Sequence, residues 1–356
     1  MVAQIAFNLI LEAALKESAS DIHITVGRNP TIRMDGVLIP LLKFPIVDAN
    51  FSKEFADILL SSEEARARFI ETKEQDFSYR YQDRARFRVN VFQQRGLVAT
   101  AMRYIPNHIR DFAELNLPVD LFKEVLSRSQ GFVLVVGPIG QGKSTTLAAM
   151  IQHLNQTTTS NILTIEDPIE FLFTSDRSII NQREVPNDTL SFGRALKSMF
   201  REDVNVVMIG EMRDPETIAT ALTAAETGHL ILSSLHTNNA SQTIDRIIDS
   251  FSATQQNQVR AQLSETLVAI VSQRLLPKIR GGRVPALEIM LVNTAIRNLI
   301  REKKTYEIDL IIETHSRDGM MSLNRSLASL VRRGEISLDS ALNFSTNPGE
   351  LKMLTK

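Results

Sequence analysis

The stretch GFVLVVGPIGQGKSTTLAAM, residues 131–150, constrains the fold of this chain more than any other. An apolar run is followed by the pattern GxxxxGK[ST], from Gly137 to Ser144, and then by helix-forming residues. A strand, a glycine-rich loop and a helix in this order predict a phosphate-binding loop. The glycines let successive backbone N–H groups point at phosphate oxygens at the start of the helix. The alternative is a glycine-rich turn that binds nothing.

The residue types inside this loop indicate which ligand it holds. We expect Lys143 to reach the β- and γ-phosphates of a nucleoside triphosphate, taken to be ATP, and the hydroxyl of Ser144 to bind Mg²⁺. The nucleotide-binding residues predicted here are Gly137, Gly140, Gln141, Gly142, Lys143, Ser144 and Thr145.

After Pro118 the chain alternates apolar runs with helical stretches, which predicts the α/β class, with a parallel sheet covered by helices on both faces. From about residue 255 to the end, the pattern is mostly helical. The apolar runs are GFVLVVG, NILTIED, VNVVMIGE and HLILSSLH, and the helices that follow them are predicted at 143–155, 189–201, 215–226 and 240–250.

Residues 1–106 predict a smaller α+β domain. Asp35-Gly36, between two β-rich runs, predicts a hairpin. Helices are expected at roughly 48–60 and 62–71, and antiparallel strands in DFSYRY and ARFRVNVFQQRGLVATAMRYI. The segment 107–118 is bounded by prolines and is predicted to be a linker to the second domain, residues 119–356.

Composition excludes several classes of function. The chain has no cysteine, which excludes disulfides, thiolate metal sites and cysteine nucleophiles and fits a reducing compartment. Its formal net charge of -1 gives no electrostatic reason to expect a nucleic-acid partner. Since no apolar run approaches the ~20 residues of a membrane span, we expect a cytoplasmic protein.

Acidic residues follow two of the apolar runs. Glu211 follows VNVVMIG, where Gly210 occupies the position at which such nucleotide-binding proteins usually carry Asp. The run ILTIEDPIEF offers Glu166, Asp167 and Glu170. Because the carboxyl ends of parallel strands converge on the ligand crevice, we expect these side chains near the phosphates. Glu211 could polarise an attacking water, and Glu166 could be a second Mg²⁺ ligand.

Two histidines bound the next apolar run. His229 opens the strand predicted in HLILSSLH and His236 closes it. Residues seven apart in a strand lie on opposite sides, so a shared metal ion is not expected. A strand at this position suits a sensor of the γ-phosphate. The pattern leaves a sensing role and an ordinary structural role equally open for both.

Taken together, four blocks resemble the motifs of the secretion-type traffic ATPases, the motors of type II secretion and type IV pili. GPIGQGKSTT, ILTIEDPIEF, VVMIGEMRD and TAAETGHLILSSLHT are similar to their Walker A motif, Asp box, atypical Walker B motif and His box. Glycine in place of the Walker B Asp is typical of that family. The likeness is nearest to the pilus-retraction ATPases and runs almost end to end, through ASDIHITVGRNPTIRMDG, RFRVNVFQQRG and VSQRLLPKIRGGRVPALEIMLVNTAIRNLIREKK.

This resemblance implies a PAS-like N-terminal domain linked to a RecA-like P-loop ATPase domain and assembled as a homohexamer. It implies an ATP-hydrolysing motor for pilus retraction and twitching motility that uses ATP and Mg²⁺. The motor would act at the cytoplasmic face of the inner membrane, with a platform protein of that membrane and paralogous pilus ATPases as partners. The alternatives are a pilus-extension or type II secretion ATPase, an accessory retraction ATPase, a non-hydrolysing ATP switch and a nucleic-acid translocase.

The resemblance also implies roles for individual residues. Arg88 and Arg103 resemble arginines that reach the nucleotide phosphates when the two domains close, although both could be ordinary surface arginines. The sequence departs from the family at Val204-Asn205, at Ser233-Ser234, and at Ile139 and Gln141 in the loop. The resemblance assigns Lys143 and Ser144 to the phosphates and Mg²⁺, Glu211 to catalysis, Glu166, Asp167 and Glu170 to the metal or water, and His229 and His236 to coupling the γ-phosphate to domain movement.

Overall fold

A computed structural model describes residues 2–34, 36–82, 84–105 and 108–356. Its contacts separate two compact units. The first comprises the chain up to His108 together with Asp167–Leu172, and the second comprises Ile109–Glu166 and Phe173–Lys356. The domain bounds expected from the sequence, 1–106 and 119–356 with a linker at 107–118, remain a prediction.

The first unit is an antiparallel sheet with helices. Its strand order is β3-β2-β1-β6-β5-β4, and α1 and α2 pack on it through buried side chains such as Phe7 and Phe55. Among the described residues, its elements are α1 (Val2–Lys16), β1 (Asp21–Ile24), β2 (Thr31–Met34), β3 (Val37–Pro40), α2 (Ala49–Leu59), α3 (Glu63–Thr72), β4 (Glu74–Tyr81), β5 (Ala85–Gln94) and β6 (Leu97–Ile105).

Local sequence explains this unit well. Met34 pairs with Val37, which confirms the predicted hairpin, although Asp35 itself lies outside the described residues. In β5, side chains alternate between the core and the other face, because successive residues of a strand point to opposite sides. Phe87 and Val89 are buried, and Arg88 between them lies on the opposite face. The α+β architecture expected for this half is confirmed.

The second unit is built on a seven-stranded sheet of order β13-β12-β7-β11-β10-β8-β9. All neighbours pair in parallel except β12 and β13. Its described elements are α4 (Val119–Leu126), β7 (Gly131–Val136), α5 (Lys143–Thr157), β8 (Asn161–Glu166), β9 (Ile179–Glu184), α6 (Phe192–Met199), β10 (Val206–Ile209), α7 (Pro215–Glu226), β11 (Leu230–Leu235), α8 (Ala240–Asp249), α9 (Ala253–Thr266), β12 (Leu267–Pro277), β13 (Arg283–Leu291), α10 (Thr294–Arg301), α11 (Ile308–Thr314), α12 (Leu323–Arg332), α13 (Leu338–Phe344) and α14 (Pro348–Leu354), with single 3-10 turns at Thr305–Glu307 and Ser316–Asp318.

The expectation that the chain is mostly helical after residue 255 is wrong for β12 and β13. These two strands lie inside the central sheet, and β12 pairs directly with β7. Most residues of β12 are buried, and its opening apolar run, LVAIV, lacks the alternation that marks a half-exposed strand. The last three helices, α12 to α14, pack on this hairpin in a separate small core that includes Leu276, Val284 and Leu327.

The strands of this sheet are buried on both faces. Every residue of β7, β10 and β11 is buried, and separate apolar clusters lie on the two sides of the sheet. This confirms the predicted parallel sheet covered by helices. The order of the strands brings the ends of β8, β10, β11 and β7 side by side, so the loops after them share one edge.

Candidate active site

The predicted phosphate-binding loop lies between β7 and α5, at that shared edge. Gly137, Gly140 and Gly142 all have positive φ, at 148°, 77° and 83°. A Cβ on Gly137 would lie 2.5 Å from the backbone oxygen of Gln273, so only glycine fits there. Gly142 is the N-cap of α5. Backbone N–H groups and the positive end of the α5 dipole therefore meet at this loop, which suits an anion.

Lys143 is the first residue of α5 and is 7% exposed. Its ammonium donates to the carbonyl oxygens of Gly137 at 2.8 Å and Pro138 at 2.9 Å. It also lies 3.1 Å from Nδ1 of His236. The ammonium of Lys143 is thus held against the loop, where its positive charge can attract phosphate oxygens.

His236 connects this lysine to the predicted catalytic carboxylate. Its Nε2 lies 3.5 Å from Oε2 of Glu211. Because a lysine ammonium can only donate, Nδ1 must accept, and the ring proton of the neutral histidine is assigned to Nε2, facing Glu211. Burial, followed by the charge of Lys143, lowers the pKa of His236 below its ordinary value, and the charge of Glu211 opposes that shift. The neutral ring of His236 therefore connects the ammonium of Lys143 to the carboxylate of Glu211.

Glu211 follows β10 by two residues, and its side chain is 18% exposed. It forms an ion pair with the guanidinium of Arg213. Ser234 anchors the backbone just before Glu211, because its hydroxyl donates to the carbonyl of Gly210 at 2.7 Å. Ser233 does the same for Ile209 at 2.8 Å. The serine pair that departs from the family pattern thus fixes the strand end that carries Glu211.

Glu166 closes β8, next to Gly210, which directly follows the neighbouring strand β10. The carboxylate of Glu166 is buried and accepts hydrogen bonds from Thr164 at 2.7 Å and Gln182 at 3.2 Å. A Cβ on Gly210 would lie in ordinary van der Waals contact with Glu166, 3.6 Å from its Cα. A buried, hydrogen-bonded carboxylate therefore lies beside the position at which an Asp is usual.

Oxygen donors suited to Mg²⁺ lie at this edge of the sheet. Within the described ranges, no group of three or more His, Cys, Asp or Glu side chains could hold a metal ion. A Mg²⁺ ion bound with a nucleotide takes one or two protein ligands and completes its shell with phosphates and water. Ser144 is exposed at the start of α5, and Glu166 supplies a carboxylate. Oxygen donors of this kind suit a hard cation.

The remaining predicted acids and both predicted arginines belong to the first unit. Asp167 and Glu170 belong to the segment Asp167–Leu172 of the first unit, where Glu170 lies 3.7 Å from Arg88. Arg103 pairs across the sheet with Arg88 and contacts Asp21 at 2.9 Å, and its side chain is 72% exposed. In both arginines the guanidinium is therefore at least partly exposed and paired with an acid of its own unit.

His229 lies at the amino end of β11, and His236 follows its carboxyl end. Six strand residues separate them, a rise of about 20 Å. The ring of His229 contacts the carbonyl of Ala224 at 3.0 Å and packs edge-on against Phe200. Within one chain, the structure brings His236 but not His229 to the loop, and a role for His229 in nucleotide binding remains a prediction.

One contact of the loop was not predicted. Gln273 of β12 is buried, donates to the carbonyl of Gln141 at 2.7 Å and accepts from Thr146 at 2.8 Å. Gln273 is one of three successive polar residues, with Ser272 and Arg274, that interrupt the apolar run of β12, and this interruption is the signal that could have marked it.

Comparison with known proteins relates most of the chain to one family. The family model described as type II/IV secretion system protein matches residues 1–343. The type IV pilus retraction ATPase PilT of Pseudomonas aeruginosa is 46% identical over 332 residues, which cover 93% of this chain and 96% of that protein. A twitching motility protein of Neisseria gonorrhoeae is 50% identical over 275 residues, 77% of this chain and 73% of the relative. The crystal structure of the pilus retraction motor PilT with bound ADP superposes with a TM-score of 0.89 at 47% identity, covering 97% of this chain and 98% of that one.

Proposed function

Because this chain belongs to the family of type II/IV secretion system proteins, we propose that it is an ATPase that powers type IV pilus retraction. The observation that carries the proposal is the connected set Lys143, His236 and Glu211 at the phosphate-binding loop. The solved relative is described with bound ADP, which supports an adenine nucleotide as the ligand here. We expect ATP to bind with its phosphates on the loop between β7 and α5.

The chain's own residues suggest how hydrolysis proceeds. Lys143 contacts the β- and γ-phosphates and balances the charge that develops on them. Glu211 accepts a proton from water as the water oxygen attacks the γ-phosphorus and the bond to the β–γ bridging oxygen breaks. His236 orients Glu211 through its Nε2–H and contacts the phosphate-binding lysine through Nδ1. When bound by Ser144 and Glu166, Mg²⁺ would neutralise phosphate charge.

Cleavage of the phosphate bond does no mechanical work by itself. A motor therefore needs a change in the protein's conformation that depends on which nucleotide is bound at this site. We propose that the chain acts as a homohexamer in which Arg88 and Arg103 reach the nucleotide phosphates of a neighbouring subunit, as an arginine finger does. Their exposed or half-exposed guanidinium groups support this, because a new anion could compete for them with the carboxylates of Glu170 and Asp21.

The partner and location proposed are those that a retraction motor requires. The partner is a platform protein of the inner membrane, with paralogous pilus ATPases as further partners, and the site of action is the cytoplasmic face of that membrane. In the part of the chain that the structure describes, none of the helices has the length and apolar character needed to cross a bilayer.

Deleting the gene and counting surface pili tests the proposal. A retraction motor predicts cells with more pili than the parent strain and no twitching. Cells without pili would instead identify an extension motor, and an unchanged count would indicate a secretion or accessory ATPase. Restoring the unaltered gene should return both pilus number and twitching to the parental values.

A further inference from the structure

Strand β12 continues past the end of its neighbour β7. Ser272 pairs with Val136, the last residue of β7, but β12 runs on to Pro277. On that side, the backbone groups of the extension face the phosphate-binding loop instead of a strand. Because unpaired backbone N–H groups are costly to bury, the loop has to supply hydrogen-bond partners for β12.

The side chain of Gln141 supplies one of these partners. Its Oε1 accepts from the backbone N–H of Leu275 at 2.6 Å, in place of a strand carbonyl. In return, Nε2 of Gln273 donates to the backbone oxygen of Gln141 at 2.7 Å. Oε1 of Gln273 accepts from the hydroxyl of Thr146, one turn into α5, at 2.8 Å. We call Gln141, Gln273, Thr146 and the N–H of Leu275 the glutamine clamp.

The clamp touches the loop at both ends. A Cβ on Gly137 would lie 2.5 Å from the backbone oxygen of Gln273. A Cβ on Gly142 would lie 2.8 Å from the side-chain Nε2 of Gln273. Gln273 is 3% exposed and Thr146 is 1% exposed, so both are fixed by packing. Gln141 stands where the resembled family usually has serine, whose hydroxyl is too close to the backbone to reach Leu275. This chain therefore has a loop contact of its own.

We propose that Gln141 and Gln273 are positioning residues that hold the phosphate-binding loop in its nucleotide-binding conformation. The inference rests on the proposed nucleotide site at this loop. Neither glutamine takes part in bond breaking. Without the clamp, the loop spends less time in the binding conformation, and the apparent dissociation constant rises in proportion. Once nucleotide is bound, the loop is held by the phosphates, so turnover at saturation should change little.

Methionine variants of the full-length chain test this inference, since methionine keeps the length of glutamine and removes its hydrogen bonds. For Gln141→Met we expect the Kd for ADP, measured by calorimetry, to rise about three- to tenfold, the effect of one hydrogen bond. The kcat at saturating ATP should stay within about twofold. Gln258→Met, at an exposed position of α9, is the matched control and should bind ADP like the unaltered chain.

A double-variant cycle with Gln273→Met asks whether the two residues act as one clamp. If they do, the factor by which Kd rises in the double variant is smaller than the product of the factors for the two single variants. An unchanged Kd in Gln141→Met, or a lower kcat at unchanged Kd, would overturn the inference. Gln141 is only half-buried, so Gln141→Met decides the matter even if the buried Gln273→Met does not fold.

Lys143→Ala separates this inference from the proposed function. If the unaltered chain binds ADP and Lys143→Ala does not, the nucleotide site is supported whatever the glutamine variants do. If Gln141→Met then binds like the unaltered chain, only the clamp is refuted. An unaltered chain that does not bind ADP would refute both.

Discussion

Alanine substitutions at two glycines of the phosphate-binding loop should lower the free energy of unfolding by very different amounts. At Gly137, φ is 148°, and a Cβ would lie 2.5 Å from the backbone oxygen of Gln273. That oxygen cannot move easily, because β12 is paired with β13 from Ala269 to Pro277. At Gly140, φ is 77°, and no heavy atom lies within 4 Å of a Cβ.

These observations set the expected magnitudes. Gly140→Ala carries only the cost of a left-handed residue, about 1–2 kcal/mol. Gly137→Ala adds an overpacking cost of about 1–3 kcal/mol to a backbone cost of about 1–3 kcal/mol, for a total of about 2–6 kcal/mol. Since a native domain is stable by only about 5–15 kcal/mol, Gly137→Ala should remove a large part of the stability of the second unit.

Thermal unfolding of the purified variants, followed by circular dichroism, measures the difference. We expect Gly137→Ala to lower Tm further than Gly140→Ala, about two- to threefold at the midpoints of these ranges. Gly281→Ala is a matched control outside the loop, because its φ is 85° and its Cβ position is open. It should behave like Gly140→Ala. Equal shifts in the two loop variants would refute the reasoning from the close approach of β12.

Three further predictions concern the chemistry. Glu211→Gln should lower the steady-state kcat by about 10²–10⁴-fold, the usual contribution of a general base, and leave ADP binding intact, whereas the exposed Glu313→Gln should change neither. Because burial and a neighbouring lysine lower the pKa of His236 below 6.5, the unfolded chain takes up a proton below about pH 7 that the folded chain does not. The free energy of unfolding should therefore decrease as the pH is lowered through that range. Denaturant unfolding of His236→Gln between pH 5.5 and 7.5 should show a smaller decrease. Arg88→Ala should lower kcat about tenfold or more if it acts as an arginine finger, and Arg68→Ala, on the exposed face of α3, should not.

Short-range pattern was enough to predict the loop and the strands around it. The helix predicted at 215–226 and the helix observed at Pro215–Glu226 agree, because Asp214 caps it and proline opens it. The two histidines were predicted to open and close one strand, and β11 does lie between them. Such features depend on residues close in sequence, where propensity and periodicity act directly.

What could not be predicted depends on distant contacts or on unmarked boundaries. Thr266 ends α9 and Leu267 begins β12 with no glycine or proline between them, so no local signal marks the change from helix to strand. The contact of Gln141 with Leu275 joins residues 134 positions apart. The link from Lys143 through His236 to Glu211 likewise required the order of the strands, which the sequence pattern leaves open.

In the mechanism proposed above, hydrolysis that depends on Glu211 powers pilus retraction. The most direct measurement restores Glu211→Gln to a strain that lacks the gene and counts surface pili beside the same strain restored with the unaltered gene. Our account predicts an excess of pili that do not retract with Glu211→Gln and normal numbers with the unaltered gene. Normal pilus numbers and twitching with Glu211→Gln would contradict the account.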